Sequence, residues 1–205
     1  MKEVFIVNLH TGNLRTVQKR IEELNVKVII TNDPNEIKKA DKIILPGIGH
    51  FAEAMKNLHR LNLSEILNEK ILIKQTPILG ICLGMQLMAT KSEEGNSFGL
   101  NWINAELISF NFQDKHSFRS PHIGWNNLNS VKDSPLLKNI TEEDEFYFLH
   151  KYHLHNILPE NSIAQTNYEF NFTSVIQKEN IFGVQFHPEK SHESGIKILQ
   201  NFLAV

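Results

Sequence analysis

The 205-residue sequence holds one cysteine, in Pro77-Ile78-Leu79-Gly80-Ile81-Cys82-Leu83-Gly84-Met85-Gln86-Leu87, with a glycine two positions away on each side. A lone cysteine usually serves as a small apolar side chain. Here residues 77–81 form a short apolar run suited to a strand buried on both faces, and residues 84–89 open a helical pattern. Cys82 therefore falls at a strand-to-helix turn, the geometry that G-x-S-x-G gives a nucleophilic serine. The flanking glycines leave room for strained backbone around an exposed sulfur. A thiol needs a base before it attacks a carbonyl carbon, and ten histidines compete for that role. The most informative stretch is Gly183-Val184-Gln185-Phe186-His187-Pro188-Glu189-Lys190-Ser191, where a strand pattern ends in His-Pro-Glu. Pro188 favours extended backbone at His187, so His187 and Glu189 would project side by side, the carboxylate orienting an imidazole that serves Cys82. The alternative is a surface turn without chemistry. Leu45-Pro46-Gly47-Ile48-Gly49-His50-Phe51 supplies a third piece. It lacks the third glycine of a dinucleotide fingerprint. It reads either as a plain turn or as a loop of backbone N–H groups that stabilises an oxyanion together with the N–H of Leu83.

These groups need elements to hold them. Residues 4–7, 26–30 and 42–45 read as buried strands, and Leu14, Val17, Ile21 and Leu24 recur at helical spacing between the first two. Asp33 is placed to cap a short helix after Asn32-Asp33-Pro34, and helical spacing returns over 51–61 and 64–71. This β-α-β-α order predicts a parallel sheet covered on both faces. The second half reads as strands at 105–112, 125–128, 145–149, 162–166, 172–177 and 181–186, with a closing helix over 192–203. The expected fold is thus α/β, with a mostly parallel central sheet, flanking helices and added antiparallel strands, in one domain over 1–205.

Composition narrows the function classes. A hydrophobic content of 41% supports one sizeable core, and a net charge of −2 with no basic run argues against a nucleic-acid partner. No apolar stretch approaches the ~18 residues of a membrane span. The N-terminus is too short in apolar residues for a signal peptide, and a single cysteine excludes an intrachain disulfide, which fits a reducing cytosol. A cytoplasmic location is expected. His150, His153 and His155 invite a metal reading, but a strand period would put His153 and His155 on one face and His150 on the other, so no metal is expected.

The combination of Gly80-Ile81-Cys82-Leu83-Gly84, Pro46-Gly47-Ile48-Gly49 and His187-Pro188-Glu189-Lys190-Ser191 resembles the class I glutamine amidotransferases, whose fold is flavodoxin-like. Asn13-Leu14-Arg15, Pro121-His122-Ile123-Gly124-Trp125-Asn126, Tyr147-Phe148-Leu149-His150 and Gly183-Val184-Gln185-Phe186 resemble its glutaminase subunits that serve imidazole glycerol phosphate synthesis. The resemblance implies that Cys82 forms a γ-glutamyl thioester from L-glutamine, with His187 as base and acid and Glu189 as its orienter. It implies an oxyanion hole at Ile48, Gly49 and Leu83, with Gln86 near the substrate. It further implies no cofactor and a heterodimer with a (β/α)8 cyclase that receives ammonia. Asn13, Pro121, His122, Tyr147 and Lys190 match family positions at that interface. The Thr11-Gly12-Asn13 loop has a second reading, a phosphate site at a helix N-terminus.

Three segments depart from the family pattern: Asn8-Leu9-His10-Thr11-Gly12 in the first loop, Ile123 in place of methionine, and Lys151 in His150-Lys151-Tyr152. They bear on partner identity, and the resemblance therefore also extends to paralogous subunits that feed ammonia to nucleotide-sugar or surface-polysaccharide amidation. A stand-alone cysteine hydrolase is the remaining alternative.

Overall fold

The computed structural model describes residues 3–10, 12–129 and 131–205. Thr11 of the first loop, with Met1, Lys2 and Ser130, lies outside the described residues. Strands β1 (Glu3–Val7), β2 (Lys27–Thr31), β3 (Ile43–Gly47) and β4 (Ile78–Cys82) alternate with helices α1 (Leu14–Glu22), α2 (Pro34–Ile37), α3 (Phe51–Arg60) and α4 (Leu63–Asn68). Then come α5 (Leu83–Gln86), β5 (Lys91–Ser92), β6 (Ser97–Phe98), β7 (Glu106–Ser109), β8 (His122–Asn127), β9 (Glu145–His150) and β10 (Tyr152–His155). The chain finishes with β11 (Ser162–Tyr168), β12 (Phe170–Lys178), β13 (Ile181–Val184) and α6 (His192–Ala204).

The parallel block runs β2-β1-β3-β4-β13, and β12, β10, β7, β5 and β6 extend it in that order, with β11 paired to β12. The extension is antiparallel from β13 through β12 and β10 to β7. Helices cover both faces because successive side chains of a strand point to opposite sides. In β1, Phe5 and Val7 enter one core with Leu45 and Met85, while Val4 and Ile6 enter the other with Ile81 and Phe202. That is why β1 reads as a continuous apolar run. Asp33 does cap α2, accepting from the Asn35 N–H at 2.8 Å.

The helix expected over 64–71 passes at residue 69 into a wider π turn, Glu69–Ile73. The strand expected over 105–112 is regular only over Glu106–Ser109. Beyond it, the Phe110 N–H still donates to the Lys151 carbonyl at 3.2 Å, and Phe110 and Phe112 stack on each other at 5.0 Å inside an aromatic cluster. Strands β8 and β9 pair only with each other, forming a separate ribbon. His150 therefore ends one hairpin strand while His153 and His155 lie on β10, so the three histidines do not share a strand. His153 is buried and His155 exposed. Among the described residues no group of three or more potential ligands is placed to hold a metal, and no helix is long and apolar enough to cross a membrane.

Candidate active site

Cys82 is the last residue of β4 and sits at φ +51°, ψ −109°, a backbone conformation that L side chains avoid. The turn is thus strained at the cysteine itself. Its two glycines serve close approach instead. A Cβ on Gly84 would lie 1.6 Å from the Leu45 carbonyl oxygen, and one on Gly80 2.6 Å from the Met85 nitrogen. Without them α5 could not lie against β3 and β4. The sulfur, expected to be exposed, belongs to a residue only 4% accessible. It borders a cleft of about 270 Å³ lined by Ile48, Gly49, Cys82, Leu83, Gln86, Glu94, Pro121, Leu149, His150, Lys151 and Tyr152. That volume falls just below the range for drug-sized ligands (roughly 300–1,000 Å³) and suits an amino acid.

His187 and Glu189 are paired and buried, Nδ1 to Oε1 at 2.8 Å. His187 has the extended backbone expected before Pro188, at φ −101° and ψ +93°, but the side-by-side projection arises in another way. β13 ends at Val184, and Pro188–Lys190 forms a single 3-10 turn whose first position is the proline. The turn, not strand alternation, brings the carboxylate back to the ring. Ser191 Oγ donates to the His187 carbonyl at 2.6 Å, and the His187 N–H donates to the Tyr147 carbonyl on β9 at 2.9 Å. A Cβ on Gly195 would lie 1.9 Å from the Pro188 carbonyl oxygen, so α6 clamps the turn from behind.

The carboxylate at Nδ1 makes that nitrogen the proton-bearing one. Nε2 has no hydrogen-bond partner by geometry among the described residues, and Cys82 is the group that acts on it electrostatically. Burial lowers the imidazole's pKa, but the neighbouring Cys82 sulfur and the charge and hydrogen bond of Glu189 outweigh burial and raise it to about 10. A charged imidazole held beside the sulfur can steady the nucleophile as it attacks a carbonyl carbon and can protonate the departing amine.

The oxyanion candidates converge on the same cleft. Gly47 pairs in register with Cys82, which sets Ile48 and Gly49 beside the Cys82–Leu83 turn. Gly49 has φ +120° and no atom within 4 Å of a built Cβ, so backbone freedom alone calls for glycine there.

The expected interface residues divide. Asn13 is exposed, caps α1 through its Oδ1 to the Thr16 N–H at 3.4 Å, and shares a small hollow with His187, Glu189 and Lys190. Lys190 Nζ lies 5.5 Å from the Tyr147 ring centroid, and Tyr147 meets Trp125, which stacks on His192 at 5.0 Å. Pro121 is exposed but lies at the mouth of the cleft. His122 departs from the expectation, being 3% exposed, stacked between Phe148 and Tyr168 and hydrogen-bonded to His150 at 3.1 Å. Its strand turns it inward, and Ile123, 56% exposed, takes the outer face. Burial pushes the pKa of His122 down to about 4, and burial likewise pushes His150 to about 3 against the opposing bond to the Tyr152 carbonyl.

Sequence reasoning missed Glu94, Lys151 and Trp125 as individual site residues. Glu94 accepts from the Phe51 N–H at 2.7 Å, tying the start of α3 to the β5–β6 turn while lining the cleft. No short motif signals this, because the bond spans 43 residues.

The sequence profile described as glutamine amidotransferase class-I matches residues 5–205. The chain belongs to the class-I glutamine amidotransferase family. It is 44% identical over 200 residues to imidazole glycerol phosphate synthase subunit HisH 2 of Methanococcus maripaludis, covering 98% of both chains. Identity to the HisH subunit of Methanocaldococcus jannaschii is 45% over 199 residues, covering 97% of each. The fold is that of PurLQS from Thermotoga maritima, with a TM-score of 0.74 at 17% identity over 99% of this chain and 98% of that one. It also matches a glutamine amidotransferase of Thermotoga maritima, TM-score 0.65 at 18% identity over 92% of this chain and 76% of that one. As a class-I glutamine amidotransferase, the chain is an enzyme.

Proposed function

We propose that this chain, acting as one glutamine amidotransferase domain in the cytoplasm, is the glutaminase subunit of an imidazole glycerol phosphate synthase. The single observation that carries this is the end-to-end match to subunits of that name, at 44% identity across 98% of both chains. The cleft supports the chemistry. Glu94 is the one carboxylate among its lining residues and suits the α-ammonium of L-glutamine, and Lys151 on the same wall suits the α-carboxylate. Cys82 Sγ attacks the carboxamide carbon, and the negative oxygen of the tetrahedral adduct takes hydrogen bonds from the backbone at Ile48 or Gly49 and at Leu83. His187 Nε2 passes its proton to the nitrogen, ammonia leaves, and a γ-glutamyl thioester remains. Water, deprotonated by His187, then cleaves the thioester to glutamate and restores the thiol. Free ammonia is largely protonated at neutral pH and loses its lone pair, so its use calls for direct transfer to a partner. The partner in this reading is a (β/α)8 cyclase forming imidazole glycerol phosphate and the aminoimidazole carboxamide ribonucleotide. It docks on the surface of Asn13, Tyr147 and Lys190.

A second reading has its own observation. Methanococcus maripaludis has relatives named HisH 1 and HisH 2, and this chain matches them at 40% and 44% identity. The departing residues Ile123 and Lys151 lie on an outer face and in the cleft wall. A paralogous subunit that feeds a sugar-amidating synthase is therefore the alternative. Glutamate release by the chain with a cyclase partner and its nucleotide, for wild type and Cys82→Ala, is the test. The first reading expects glutamine-dependent cyclisation from wild type, none from Cys82→Ala, and survival of ammonia-dependent cyclisation in that variant. Glutamine turnover by Cys82→Ala would overturn the triad, and no stimulation by the cyclase would favour the paralogue.

A further inference from the structure

A single backbone carbonyl, that of Tyr152, fixes the orientation of a buried polar chain that ends on the nucleophile. His150 Nδ1 lies 2.8 Å from it and Gln86 Nε2 3.1 Å from it. A carbonyl only accepts, so both nitrogens must donate. His150 then carries its proton on Nδ1, and its Nε2 accepts from His122 Nδ1 at 3.1 Å. Gln86 is likewise set, and its second N–H meets Gln185 Oε1 at 3.0 Å. Reversing the Gln185 amide would set two N–H groups against each other. Its Nε2 therefore faces Cys82 Sγ, at 3.7 Å.

Gln185 is 0% exposed and is pinned by its own backbone N–H, which donates to the Ser174 carbonyl at 2.8 Å. Among the described residues, the Leu149 carbonyl also lies within hydrogen-bond reach of the sulfur, at 3.7 Å. The two have opposite preferences. Leu149 can accept only from an S–H, whereas the Gln185 N–H favours a bare sulfur anion. We propose that Gln185 is a positioning residue of the nucleophile, donating to Cys82 Sγ as a thiolate in an orientation imposed through the substrate-facing Gln86. Both Nε2 hydrogens of Gln86 are engaged, which leaves its Oε1 as the acceptor it can turn toward the cleft. Substrate contact at Gln86 and charge at Cys82 thereby act on one buried amide pair. The charged and titratable groups around the sulfur are His187 with Glu189 from the turn after β13, His150 from β9, and Glu94 and Lys151 across the cleft. Gln185 is the neutral donor among them.

The kinetic arm of the test rests on the glutaminase reading. The chemical arm does not, because it follows Cys82 without glutamine. Iodoacetamide alkylation of Cys82 is measured against pH in the full chain for wild type, Gln185→Leu and Gln185→Met, with melting curves to verify folding. Gln185→Met keeps the length of the side chain but offers no N–H, so it reports even where Gln185→Leu does not fold. The expected result is a rise of about one pH unit in the alkylation midpoint for both variants. Glutamine kcat falls about tenfold with KM little changed, because the contact bears on the nucleophile. Unchanged midpoints in folded variants would overturn the proposal and leave Gln185 as packing. A shifted midpoint in a chain that fails to hydrolyse glutamine even with the cyclase and its nucleotide would uphold it while removing the glutaminase reading.

Discussion

The pairing of His187 with Glu189 decides how the thiol chemistry responds to pH. Burial alone would keep that imidazole neutral, and the sulfur and carboxylate on either side reverse the outcome, raising it to about 10. The imidazolium is the form that protonates departing ammonia, so acylation should decline as pH rises toward that value. Glu189→Gln removes one negative neighbour and weakens the charged form. The alkaline limb of kcat/KM is therefore expected to move to lower pH, with a rate loss on the order of 10²–10⁴-fold from a less well held ring. A pH–rate profile measures both. An unmoved alkaline limb would assign that limb to another group.

At the scale of elements, the elbow is built from close approaches. α5 lies so near β3 and β4 that Gly84 faces the Leu45 carbonyl and Gly80 faces the Met85 backbone. Gly84→Ala places a methyl 1.6 Å from that oxygen, so the strand or helix must move. Its expected cost is about 3 kcal/mol or more, read as a lower denaturant midpoint, with loss of Cys82 reactivity. Gly49→Ala is the counterpart, since no atom lies within 4 Å of the added carbon and only the positive φ resists. It should cost about 1–2 kcal/mol at most while lowering kcat, as the oxyanion loop relaxes to another conformation. Equal effects of the two on stability would refute this division between packing and backbone freedom.

At the scale of the whole molecule, the triad joins two surfaces. The cleft opens on one side of Cys82, and the hollow shared by Asn13, His187, Glu189 and Lys190 lies on another. Beside that hollow stand Lys190, Tyr147, Trp125 and His192, and Tyr147 and Trp125 are of the types enriched at docking sites. Tyr147→Ala and Lys190→Ala are each expected to weaken cyclase binding about tenfold by calorimetry. Lys190→Ala should also reduce the salt dependence of association. Wild-type affinity in both would place the partner elsewhere.

By itself, the sequence determined the α/β order, the elbow cysteine, the Gly47–Gly49 loop and the His187–Glu189 pair. Each is a local signal: apolar runs, helical spacing, and turn residues within a few positions of the chemistry. Where the local reasoning failed, tertiary contacts had the say. The i, i+2 rule found Glu189, but a proline-led turn produced the contact. The family resemblance put His122 at the partner interface, whereas the β8–β9 ribbon turns it into an aromatic core where burial keeps it neutral. Glu94 reaches the cleft, and Gln185 reaches the sulfur 103 residues away, because sheet order sets distant strands side by side. Only the tertiary structure decides such contacts, since the hydrogen bonds that orient these groups come from elements whose separation along the chain leaves no periodic trace.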